Sequence, residues 1–151
     1  MHWWICGLGV LMLVSCGGPP EVLAVKQFHL RTVETRSGES EVVRAEKLRR
    51  LHGAVSAEQH RERLGEYFTV RWNGPAGRES EPVRLVFDYQ QAMTASQVLT
   101  MEQELPGTAK GIAEFHVAGK AYQTGGRVLA WRIRMFRGGE LVETRRSYLW
   151  N

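Results

Sequence analysis

The chain is predicted to fold as an antiparallel β-sandwich of about seven strands, with one short helical insertion after the first strand. Three observations predict it. From residue 66 onward, apolar and polar side chains alternate in short runs, the period of a half-buried strand. Turn signals rich in Gly, Pro, Asn and Ser separate those runs at short intervals, as in all-β sandwiches. Helical periodicity is confined to residues 41–64.

Residues 21–35 read as the first strand, with Phe28, Leu30 and Thr32 on one face and His29 and Arg31 on the other. Ser37-Gly38-Glu39-Ser40 is a turn. Ala45, Leu48 and Leu51, with His52, then share a helical stripe that Gly53 closes, while residues 42–44 also fit a strand. Ser56-Ala57-Glu58-Gln59 fits a capping box and opens a second short helix ending at Gly65. This insertion, about residues 41–65, is polar and is expected on the outside of a sheet.

Phe68, Val70 and Trp72 alternate with Thr69 and Arg71 until Asn73-Gly74-Pro75 breaks the run. Val83, Leu85, Phe87 and Tyr89 alternate with Arg84, Val86, Asp88 and Gln90, which makes Asp88 a solvated strand residue. Residues 98–105 form another strand, stopped by Pro106-Gly107, and residues 112–118 a further one. Residues 122–126 make a Gly-rich turn. Leu129, Trp131, Ile133 and Met135 then point one way, and Arg132 and Arg134 the other. Gly138-Gly139 turns the chain into the last strand, residues 141–150. A two-residue loop sets Arg134 opposite Glu143 and Met135 opposite Val142; a three-residue loop shifts that register. The pattern resembles an immunoglobulin or fibronectin-type sandwich, with Trp72 as the core tryptophan of an early central strand. It lacks the Cys…Trp…Cys signature of true immunoglobulin domains.

Ahead of the domain, Trp3 to Val14 is an unbroken run of apolar residues and glycine. It falls short of the roughly 20 residues of a spanning helix and matches the core of a signal peptide. Its leading residues carry no Lys or Arg, where such segments ordinarily hold positive charge. Leu13-Val14-Ser15-Cys16 closes the run. This motif resembles the lipobox of bacterial lipoproteins. The resemblance implies that residues 1–15 are removed as a signal peptide and that Cys16 receives a diacylglyceryl group and becomes the acylated N-terminus. Residues 16–20 then form a lipidated tether and residues 21–151 the domain. It also implies a cell-envelope location on a bacterial membrane, and Gly17 in place of Asp points towards the outer membrane.

Composition removes several chemistries. The two cysteines are Cys6 and Cys16, so the expected mature domain has no disulfide, thiol nucleophile or Cys-ligated metal. The net charge of +4 and the absence of a long basic run argue against nucleic acid as a partner. His29, His52, His60 and His116 have no metal-ligand spacing, and no G-x-S-x-G or G-x-G-x-x-G is present. No catalytic residue and no cofactor is expected. Glu102 and Glu104, about 7 Å apart on one strand face, read as a solvated pair.

Arg132, Arg134 and Arg145 are the candidate binding residues. On a hairpin they line up as a positive stripe suited to lipid headgroups or an acidic partner, with Tyr148 and Trp150 as aromatic anchors. The plainer reading is that Glu143 and neighbouring acids neutralise a solvated face. The expected function is therefore a non-enzymatic, envelope-anchored binding module, whose partners are the membrane through Cys16 and an envelope protein or polymer. Two alternatives differ in class. One is a hydrolase or carbohydrate-active domain with a loop-built site. The other is a carrier of a small apolar ligand in a cavity lined by Phe68, Phe87, Phe115 and Trp131.

Overall fold

A computed structural model of the chain describes residues 22–74 and 77–151. The expected signal segment, the tether with Cys16, and Pro75 lie outside these residues. The strands are β1 (Leu23–Leu30), β2 (Gly65–Asn73), β3 (Val83–Gln91), β4 (Leu99–Leu105), β5 (Lys110–Ala118), β6 (Val128–Arg137) and β7 (Glu140–Arg146). They form two antiparallel sheets, ordered β1-β2-β5 and β4-β3-β6-β7. The fold class is the one predicted.

Alternation builds the core. Phe68, Val70 and Trp72 from one sheet meet Leu85, Phe87, Ile133 and Met135 from the other, all buried. Each such side chain contributes about 1.5–3 kcal/mol by leaving water. Ring centroids lie 4.7 Å apart for Phe68–Phe87, 5.2 Å for Phe87–Phe115 and 5.8 Å for Phe68–Trp131. These four rings pack on one another between the two sheets. Side chains also tie the sheets together at their edges. Gln103 Nε2 donates to the Glu114 carbonyl at 2.7 Å, and Arg145 Nε to the Leu23 carbonyl at 2.8 Å.

Gly111 sits beside Trp72 in the β2–β5 register. A Cβ built there collides with the indole ring. We expect Gly111→Val to cost about 2–3 kcal/mol by overpacking. Urea unfolding should show a lower midpoint at unchanged slope. An unchanged midpoint means that the indole moves aside freely.

Helices α1 (Glu41–Leu51) and α2 (Ala57–Arg63) lie in the expected insertion. The Ser56 capping box is present, with Gln59 N to Ser56 Oγ and Ser56 N to Gln59 Oε1 both 3.1 Å. Helix α1 rests on the outer face of the three-stranded sheet, but its orientation reverses the apparent apolar stripe. Ala45 and Leu48 face solvent, while Lys47 and Arg50 are buried. The cause is the sheet face beneath, which offers Tyr67 and Glu114 to a cation. A third helix, α3 (Lys120–Gly125), replaces the expected turn; Gly126, at φ +76°, ends it.

The last hairpin departs from its expected register. Gly138 and Gly139, both at positive φ, do make the two-residue turn, pairing Arg137 with Glu140 and Phe136 with Leu141. Val142 is then skipped, and Met135 pairs with Glu143. This bulge puts Thr144, not Glu143, opposite Arg134. Because side chains alternate, one extra residue exchanges the two faces of everything beyond it.

Candidate functional site

The outer face of the four-stranded sheet carries two of the three predicted arginines, Arg132 and Arg134. Asp88 on β3 lies between Thr100 on β4 and Arg132 on β6. Its Oδ1 accepts from Thr100 Oγ1 at 2.9 Å. Its Oδ2 accepts from Arg132 Nη2 at 2.8 Å and Nε at 3.1 Å, and lies 3.0 Å from Arg134 Nη2. Asp88 is thus buried rather than solvated, its side chain only 4 % exposed. Burial alone raises a carboxyl pKa. Here it is outweighed by the hydrogen bonds from Arg132 and Thr100 and the charges of both arginines, which hold Asp88 below its ordinary value.

Aromatic rings extend this cluster. The Arg132 guanidinium lies 5.0 Å from the Trp150 ring, and Arg84 and Arg134 lie 4.3 and 5.8 Å from Phe136. Ser147 fastens the tail that presents Trp150, its N donating to the Trp131 carbonyl at 2.8 Å and its Oγ accepting from Trp131 N at 2.9 Å. Tyr148, 99 % exposed, projects from the same tail. Arg145 does not join the stripe. The bulge turns it towards the core side, where it pairs with Ile133 and reaches β1, and Arg146 takes its place opposite Arg132. Asp88, rather than Glu143, supplies the neutralising charge.

A second surface escaped the sequence reading. On the outer face of the three-stranded sheet, α1 stands on charged side chains. Arg50 packs over Tyr67 at 4.1 Å, donates from Nε to Glu46 at 2.9 Å, and pairs with Glu114 through Nη1. Arg49 joins the same two acids, and Lys47 binds the Glu34 carbonyl and Glu39. Below the helix, Ala24, Arg71, Trp72, Lys110 and Ile112 line a shallow open groove of about 910 Å3. Lys26, Arg71 and Lys110 are exposed and make no ion pair among the described residues. Part of the signal for this surface was present: Arg71 and Ile112 fall on the outward parity of their strands, whereas Lys26 shares its parity with Phe28 and Leu30.

A third cluster lies at the end of the sandwich near α3. Glu66, almost fully buried, accepts from Gln27 Nε2 at 2.5 Å and from Val128 N at 3.0 Å. His29 Nδ1 accepts from Arg31 Nε at 3.0 Å, which leaves Nε2 to donate to Tyr122 Oη at 2.6 Å. Burial lowers the His29 pKa, with Arg31 and Arg127 adding to the effect against the opposing pull of Glu66. These bonds join β1, β2, α3 and β6. Among the described residues, no three His, Cys, Asp or Glu side chains converge on a metal-sized site. Glu102 pairs with Arg84 at 3.5 Å on the open sheet face.

Fold and surfaces together define a small β-sandwich with one arginine–aromatic face and one helix-bearing basic face. No family model, curated protein or solved structure matches this chain significantly.

Proposed function

We propose that this protein is a non-enzymatic binding module fastened to a bacterial envelope membrane through lipid on Cys16. The observation that carries the reading is the Leu13-Val14-Ser15-Cys16 motif, placed six residues ahead of Val22, at the threshold of the first strand. Two or three acyl chains hold a protein stably on a bilayer. The arginine–aromatic face supports the binding role. Its guanidinium groups are positioned by Asp88 and by stacked rings, while each keeps about a third of its surface open to a partner. An acidic protein segment or polymer is the matching chemistry, with Trp150 and Tyr148 beside it as aromatic contacts.

The test is Cys16→Ala. The variant is expected to move from the membrane fraction to the soluble fraction and to lose the diacylglyceryl mass at its N-terminus. Envelope crosslinks to partners should fall with it. A native wild-type chain intact from Met1 and free of acyl groups rules the reading out.

A further inference from the structure

We propose that the helix-bearing face, comprising the outer side of α1 and the groove below it, docks flat on an anionic lipid surface. The proposal rests on the Cys16 anchor. Three observations carry it. First, α1 turns its apolar side away from the protein: Leu48 is 64 % exposed and Val42 70 %. Ile112, on the sheet below, is 64 % exposed and faces the same way. A soluble helix ordinarily turns such residues inward; here the inward positions are taken by Lys47 and Arg50.

Second, the cations of this face divide into two groups. Arg49 and Arg50 are consumed by Glu46 and Glu114. Arg71 and Lys110 line the groove with Ile112, Lys26 lies with Arg71 and Ile112 in the adjoining depression, and all three cations are exposed without an ion pair among the described residues. Apolar side chains ringed by free cations fit the boundary between headgroups and acyl chains. Each cation near an anionic leaflet strengthens binding about fivefold, so three together contribute about a hundredfold.

Third, the chain enters the domain at this groove. The Val22 carbonyl accepts from Asn73 N at 2.9 Å, and Asn73 pairs with Lys110 in the β2–β5 register. Six residue steps separate Cys16 from Val22, a reach of at most about 20 Å. A membrane holding the Cys16 lipid therefore lies within that distance of the groove rim. Docking by this face leaves the arginine–aromatic face, on the other sheet, turned away from the lipid and open to a partner.

The test uses the full lipidated chain in vesicles, with a nitroxide on Leu48→Cys, Ile112→Cys or, as the opposite-face reference, the exposed Glu104→Cys. With Cys16 acylated, the introduced thiol is the only one available to the label. In vesicles containing phosphatidylglycerol, collisions with a water-soluble nickel chelate should fall several-fold at positions 48 and 112 and stay unchanged at 104. Lys26→Glu/Arg71→Glu/Lys110→Glu should restore nickel access. Equal access at all three positions overturns the proposal. So does equal protection in phosphatidylcholine, which removes the role of anionic headgroups. Protection that arises only when envelope proteins are added assigns the face to a protein and overturns it too. If wild type takes up label or lacks acyl mass, the anchor reading fails instead. Docking is then judged by sedimentation of the unanchored chain with phosphatidylglycerol vesicles, which the triple reversal should weaken by more than about a hundredfold, since it removes three cations and adds three anions.

Discussion

Asp88→Ala is expected to destabilise the protein by about 2–3 kcal/mol, measured by urea unfolding at pH 7. Removing one member of a buried ion pair costs about 3–5 kcal/mol, because the partner charge is stranded. The lower figure applies here because Arg132 and Arg134 are 34 % and 31 % exposed and can regain water. Asp88→Asn should fall between the variant and wild type, since an amide oxygen still accepts from Thr100 or Arg132 but carries no charge. The pH dependence has a definite sign. Asp88 titrates below its unfolded value of about 3.9, so the unfolded chain binds its proton first as acid is added. Its stabilising contribution is fully present above the unfolded pKa and is lost as pH falls through the lower folded pKa. In Asp88→Asn that part of the acid limb should flatten. An acid limb identical to wild type means the carboxylate gains nothing net from its arginines.

The same residue shows how far the sequence could be read. Alternation placed Asp88 correctly on the outer face of its strand, but it could not foresee that two arginines from one neighbour and a threonine from the other would close over it. Strand existence depends on local pattern, whereas burial of a polar side chain depends on which strands become neighbours. The Val142 bulge illustrates the second limit. Leu141-Val142-Glu143 carries no Gly or other local signal, yet the extra residue moves Arg145 off the predicted stripe and puts Arg146 on it. The reversed α1 is the third. Its apolar stripe at Ala45 and Leu48 is legible, but an apolar stripe implies a core contact only when the surface opposite is apolar. The outer face of β2 and β5 instead presents Tyr67 and Glu114, which favour Arg50. By contrast the Ser56 box and the Gly138-Gly139 turn are local hydrogen-bond and φ requirements, and both were legible.

Arg137→Ala is expected to cost more than Asp88→Ala, about 3–5 kcal/mol. Arg137 ends β6 pointing towards the core, opposite Val83, and is fully buried. No carboxylate among the described residues pairs with it. Its charge is met by backbone carbonyls instead: Nη1 donates to Arg78 O at 2.9 Å and Glu81 O at 3.2 Å, and Nη2 donates to Thr108 O. Arg78 returns the contact, donating from Nη2 to the Arg137 carbonyl at 3.1 Å. One guanidinium thus holds the β2–β3 and β4–β5 connections against the end of β6. Two effects oppose each other on substitution. Removing a buried cation recovers its desolvation cost, which is why apolar replacements of buried ions are sometimes neutral. Against that, three carbonyls lose a charged donor, each hydrogen bond of this kind being worth about 1.5–3 kcal/mol, and alanine also leaves the stem's volume empty. Arg137→Met separates the terms, because it refills the stem without restoring a donor. We expect methionine to recover less than half of the alanine loss. Arg137→Lys should recover little more, since a point charge cannot span carbonyls on two loops. Full recovery in Arg137→Met, read from the urea midpoint, would show that packing alone holds these loops and that the carbonyl contacts contribute nothing net.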